Sequence, residues 1–255
     1  MTAAYFAYLA GMALWAPVSP QRKAQVFVIS MTAVLAIIIV GMPHIMPLVF
    51  LLIGYWLPAL LVRESDPRFE QRLLNFDHRL FGAGGLGQFE RRAPRLLIEY
   101  LELAYLLCYA IVPAGFACLL LAGHGPDAID RFWSIVLLAS FVCYGLLPWM
   151  PTRAPRAIEP PREATRSTIR QFNLAVLNRA SVQWNTFPSG HTAASLATAF
   201  AVGIYMPLAG VVFGVIAVSI AAGSVVGRYH YAADAIAGAV AAVVAFATVA
   251  AARGL

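Results

Sequence analysis

Charged side chains are scarce in this sequence. They make up 12% of its 255 residues, against roughly 25% in a soluble domain. Hydrophobic residues reach 61% and mean hydropathy is +0.75. So few polar groups cannot cover a soluble globule of this size, and so apolar a chain cannot stay disordered. Cysteine is scarce too: Cys108, Cys118 and Cys143 each sit inside an apolar run, which excludes a disulfide scaffold and reads as buried thiols. Lysine stops at Lys23. The net charge of +6 speaks to membrane orientation before it speaks to nucleic acid, and no nucleic-acid partner is expected. What the sequence does have is long apolar runs, which make it an all-α integral membrane helical bundle with the bilayer as its surroundings.

A span needs about 20 mainly apolar residues. The candidates are Ala24–Met42, Ile45–Val62, Leu96–Ala122, Phe132–Met150, His191–Met206, Leu208–Gly227 and Tyr231–Ala252, giving six or seven spans. Ala3–Val18 is short, is broken by Pro17 and Pro20, and has no basic residue before it; it reads as an interfacial or partly inserted helix and not as a signal peptide. If the seven spans alternate, residues 22–23, 63–95, 151–190 and 228–230 share one side, and they carry 16 of the 18 Lys and Arg residues. Retained positive charge makes that side cytoplasmic, in an inner or plasma membrane. On it, Phe69, Leu73, Phe76 and Leu80 recur at helical spacing among Arg68, Arg72 and Arg79, an amphipathic interfacial helix. Ile169, Phe172 and Val176 with Arg166, Arg170 and Arg179 form a weaker second case. The stretch Gly82–Gly85 reads as a turn. Residues 1–95 are expected to form N-terminal helices and the interfacial helix, and residues 96–255 a catalytic helical core.

Ionisable residues at the ends of apolar spans are functional candidates. Pro188-Ser189-Gly190-His191 opens such a span: Ser189 can cap the helix, N–H groups of the first turn can bind an anion, and His191 stands beside it. The alternative is an ordinary capped helix with a histidine at the interface. Further on, His230 and Asp234 are four residues apart and share a helix face. A carboxylate on one ring nitrogen raises the basicity of the other, as a nucleophilic or general-base histidine requires. A buried pair that only links helices is the other reading. The two clusters lie 39 residues and two spans apart, so they return to one membrane face. Thr152-Arg153-Ala154-Pro155-Arg156 precedes them there with guanidinium groups suited to phosphate. Two histidines, an aspartate, a helix N-terminus and arginines compose a phosphoryl-transfer site. Gly210-x-x-x-Gly214 and Gly223-x-x-x-Gly227 mark close helix contacts, and Glu99 and Glu102 are read as packing or water-contact residues.

From about Leu96 to Ala252 the sequence resembles the type 2 phosphatidic acid phosphatase superfamily, whose membrane members share a six-helix core with vanadium haloperoxidases and bacterial acid phosphatases. Phe187-Pro-Ser-Gly-His191 and His230-Tyr-Ala-Ala-Asp234-Ala-Ile-Ala-Gly238 carry the resemblance. It implies that His230 attacks phosphorus to form a phosphohistidine, that Asp234 orients it, and that His191 protonates the leaving alkoxide. Ser189 and Gly190 N–H groups, with Arg153, Arg156 and Arg228, would hold the phosphate. It implies a lipid phosphate as substrate and no metal or other cofactor. Two departures stand out. The first motif lacks the family's lysine, and the arginine usual six residues before the histidine is replaced by Ser224, with Arg228 two residues before His230. Pro-x-Arg156 and Gly-Arg228-Tyr-His-Tyr are similar to the inositol phosphotransferase branch, including inositol phosphorylceramide synthases. Hydrolysis of a lipid phosphate is the leading expectation, head-group transfer to an alcohol the alternative, and a silent transporter or scaffold a third. Many members place the site outside the cytoplasm, whereas the charge count here places it inside.

Overall fold

A computed structural model describes residues 1–82, 85–159, 168–182 and 184–254. The described chain is all helix apart from turns and one isolated bridge between Thr152 and Asn185. In chain order the helices are α1 (Thr2–Trp15), α2 (Pro20–Val40), α3 (Met46–Trp56, extended by a 3₁₀ turn Leu57–Leu61), α4 (Pro67–Phe81), α5 (Gly85–Arg92), α6 (Arg95–Leu106) and α7 (Ile111–Leu121). There follow α8 (Pro126–Leu146), α9 (Pro155–Ile158), α10 (Thr168–Ala180), α11 (Gly190–Tyr205), α12 (Pro207–Val226) and α13 (Ala232–Arg253). Proline at the first turn opens α2, α4, α8 and α12, where its missing N–H costs nothing.

Four helices, α2, α8, α12 and α13, are each long and apolar enough to cross a bilayer. The expected continuous span Leu96–Ala122 is instead two helices, α6 and α7, meeting at 63°, and counts as a fifth only as a bent pair. The helices inside the other two expected spans are short: α3 has 11 residues and α11 has 16. At 1.5 Å per residue α11 extends about 24 Å, below the ~30 Å of hydrocarbon. Its first turn is given over to the site described below. The expected six or seven full-length spans are therefore reduced to four or five by length and composition. In the N-terminal apolar stretch, expected as an interfacial or partly inserted helix, Phe6, Leu9 and Ala13 of α1 are fully buried in the main core. Tyr5 stacks on Phe141 of α8 at 4.0 Å. Conversely, α2 presents Val28, Ile38 and Ile39 outward, apolar surface that suits lipid and not water.

Small residues set how the site-bearing helices meet. Gly238 of α13 lies against the Ser189 carbonyl at the start of α11, where a Cβ would collide with backbone. Gly210 of α12 faces Gly203 of α11, and Gly223 of α12 faces the Leu101 carbonyl of α6. Gly214 has open space around it, so only one glycine of the first expected pair is a contact.

Candidate active site

The end of α8, the start of α11, the α12–α13 turn and α13's first turn converge on one pocket, lined by His191, His230, Arg156, Asn185, Tyr55, Tyr105 and Tyr144 among others. His230 sits in the turn before α13 and is buried. Its Nδ1 lies 3.3 Å from Asp234 Oδ2. The same oxygen accepts the Asn185 side-chain N–H at 2.6 Å and the Tyr231 backbone N–H at 3.1 Å. A carboxylate oxygen that collects N–H donors is held in place and holds the imidazole in turn. His230 Nε2 has no hydrogen-bond partner among the described residues and remains available to the pocket. Burial and the nearby Arg156 guanidinium push the His230 pKa down to about 3, which keeps the ring neutral at physiological pH.

His191 opens α11 with its ring centroid 5.9 Å from that of His230, nearly perpendicular to it. Tyr55, Tyr105 and Tyr109 surround the same ring at 5.9, 6.0 and 5.7 Å. Ser189 caps α11 as the sequence suggests, its Oγ accepting from Thr192 N at 3.3 Å. The N–H groups expected to meet phosphate are already engaged: Ser189 N donates to the Asp234 carbonyl at 2.9 Å and Gly190 N to Thr186 Oγ1 at 3.1 Å. Those bonds tie α11 to α13 and to the loop before it.

The three arginines separate. Arg156 lines the pocket, with its Cζ 5.1 Å from the Tyr229 ring centroid. Arg153 turns away to Glu70 of α4, donating through Nη2 at 2.7 Å, Nε at 3.1 Å and its backbone N–H at 2.7 Å. Those bonds outweigh the burial that alone would raise the Glu70 carboxyl, and hold its pKa below the ordinary value. Arg228 adopts a left-handed backbone with φ 56° and donates through Nη1 to the Glu159 carbonyl at 3.0 Å. Ser224, in the place of the family's arginine, is buried, and its carbonyl accepts from Tyr229 N and His230 N.

Both basic surface helices differ from their sequence reading in the same way. α4 buries Glu70, Leu73, Leu74 and Asp77, while Phe76 and Leu80 face outward. α10 buries Arg170 and Asn173 and exposes Phe172. Arg166, and Ala83 and Gly84 of the expected glycine-rich turn, lie outside the described residues. Hydropathy spacing missed the inward polar groups because each has a partner across an element boundary. Glu70 and Asp77, seven residues apart and flanking Leu73 and Leu74, were the available signal. Asn185, two residues before Phe187, was missed as well; its backbone N–H donates to the Thr152 carbonyl at 2.7 Å and strings the arginine loop to Asp234.

Asp77 carries a testable consequence. It accepts the Ala232 N–H at the start of α13 at 3.0 Å, and burial is the main cause of a pKa raised to about 6. A carboxyl raised in the folded state contributes stability that is complete below its ordinary pKa and lost as pH climbs through about 6. Asp77→Asn keeps the acceptor and removes the ionisation. It should raise thermal stability at pH 7.5 by about 1–3 kcal/mol and change it little at pH 4.5. Melting curves at the two pH values decide; an equal gain at both would show that Asp77 does not titrate in this range.

A family model of the PAP2 superfamily matches residues 71–248. No curated protein matches the chain, and no solved structure does. The match takes in α8 to α12, nearly all of α13 and every group around the pocket except Tyr55. With more than half its length covered, the chain belongs to the type 2 phosphatidic acid phosphatase superfamily, a family of phosphatases and phosphotransferases with an all-α fold.

Proposed function

We propose that this protein is a lipid phosphate phosphatase that works through a phosphohistidine on His230. The carrying observation is the pairing of His230 Nδ1 with Asp234, with Nε2 left over beside His191 and Arg156. In the first step the Nε2 lone pair forms a bond to phosphorus and the bond from phosphorus to the leaving alcohol oxygen breaks. His191 relays to that oxygen a proton taken up with the phosphate. In the second step water gives a proton to His191 as its oxygen attacks phosphorus, and the N–P bond breaks. Asp234 balances the positive charge on the phosphorylated imidazole, and Arg156 holds the phosphoryl oxygens as charge builds on them. The apolar outer faces of α2 and α12 suit a bilayer, which supports a lipid over a soluble ester as the substrate.

Transfer of a head group to a second alcohol begins with the same intermediate, and the Gly-Arg228-Tyr-His-Tyr segment favours it as the second reading. Phosphate release by purified protein in EDTA separates the two. The panel is phosphatidic acid, phosphatidylglycerol phosphate, an isoprenyl diphosphate and phosphatidylinositol, with lipid products identified by mass spectrometry. Release from one lipid supports the phosphatase; exchange seen only with an added alcohol supports the transferase; neither product counts against both.

The same reading puts the site on the cytoplasmic side. Two basic segments meet beside the site, with Arg153 on Glu70 and Arg170 on Glu102, which supports that side. A cysteine at exposed Asn75 of α4 should resist a membrane-impermeant thiol reagent in whole cells and react after lysis. Labelling of intact cells would reverse the orientation.

A further inference from the structure

Glu102 lies outside the reacting groups, and a continuous set of contacts joins it to them. It is 2% exposed on α6. Its Oε1 accepts from Arg170 Nε at 2.7 Å, and its Oε2 accepts from Asn173 Nδ2 at 2.7 Å and from the Tyr229 hydroxyl at 2.6 Å. Arg170 also donates through Nη2 to Glu90 of α5 at 3.0 Å. Arg170 and Asn173 alone would link α10 to α6. The addition of Tyr229 is what leads to the pocket, because Tyr229 stacks on Tyr105 at 4.1 Å and lies under the Arg156 guanidinium. Gly227 leaves the space this ring occupies, since a Cβ there would collide with it.

How each arginine is held sets Arg156 apart. Arg153 is met by the Glu70 carboxylate, and Arg228 is bonded to Glu159. Arg156 has no side-chain hydrogen bond or ion pair among the described residues, and an aromatic face holds it. A ring attracts a guanidinium without using its N–H donors or cancelling its charge, so both stay available to an anion. A phenol that donates its proton to a carboxylate gains electron density on the ring, which strengthens that attraction.

We propose that Glu102 is a positioning residue: through the Tyr229 hydroxyl it fixes the aromatic platform that presents Arg156 to the substrate phosphate. The proposal rests on the phosphoryl-transfer reading above. Its test is a double-mutant cycle on the full-length protein, measuring KM, kcat and inhibition by orthovanadate, together with melting temperature. Tyr229→Phe keeps the stacked ring and removes the bond to Glu102. It should weaken orthovanadate inhibition and raise KM by about fivefold to tenfold, with kcat changed less than about threefold. In an Arg156→Ala background the same change should have almost no further effect, because the group it positions is gone. Glu102→Gln serves as the second variant and should show the same coupling to Arg156. A lower melting temperature with KM and orthovanadate inhibition unchanged, or losses that simply multiply in the double variant, would reduce the network to helix packing and overturn the proposal. Wild-type protein that neither turns over a phosphate ester nor binds orthovanadate would overturn the phosphoryl-transfer reading itself, and this proposal with it.

Discussion

His230→Ala should abolish phosphate release, with a loss of at least about 10⁴-fold in kcat. The size follows from the covalent route proposed above. Without the imidazole no N–P bond forms, and His191 and Arg156 are left to assist direct attack by water, for which they are not placed. The fold should survive, because His230 lies in a turn whose backbone is fixed separately by the Ser224 carbonyl. His191→Ala should behave differently. It leaves the nucleophile intact and removes the proton donor, so good leaving groups such as a nitrophenolate should lose little and alkoxides about 10²–10⁴-fold. A leaving-group series run on both variants checks the assignment. Uniform loss across the series in His191→Ala would mean that it does not serve as the acid. Retained turnover in His230→Ala would remove the phosphohistidine altogether.

The residues proposed to carry this chemistry were legible in the sequence, and those that support them in the fold were not. His191 and His230 stand out because an ionisable group at the end of an apolar span is expensive, and two on one face are hard to explain by packing. The Ser189 cap was equally readable, since its partner is three residues away. The inward contacts of Glu70, Asp77, Arg170 and Asn185 escaped notice because their partners lie 33 to 155 residues distant. Helical spacing assigns a polar residue to solvent by default and cannot see an ion waiting across an interface. Span lengths failed for a related reason. Apolar composition continues from Leu96 to Ala122, and nothing in hydropathy registers the 63° turn between α6 and α7. At the first motif, where Arg153 and Arg156 were alternatives, the structure shows Arg153 bonded to Glu70 and so favours Arg156 in the proposed role.

That contrast gives the second large effect. Arg156→Ala should lower kcat/KM by about 10²–10³-fold, the usual cost of losing one charge-stabilising donor at a transferring group. Arg153→Ala should act mainly on stability. It strips donors from Glu70, which is 2% exposed, and leaves a buried carboxylate to find water or a proton, at about 1–3 kcal/mol. Glu70 accepts from the Arg153 backbone N–H as well, so the loop that leads to Arg156 keeps one anchor after the side chain is gone. A second anchor is the Tyr231 hydroxyl, which donates to the Arg153 carbonyl at 3.1 Å. With both in place, Arg156 stays near the pocket and activity in Arg153→Ala should fall less than about tenfold. Kinetics and melting curves on the two variants side by side distinguish the roles. A large kinetic loss in Arg153→Ala at unchanged stability would mean that the guanidinium leaves Glu70 for the phosphate during turnover, and the division of labour among the arginines would have to be redrawn.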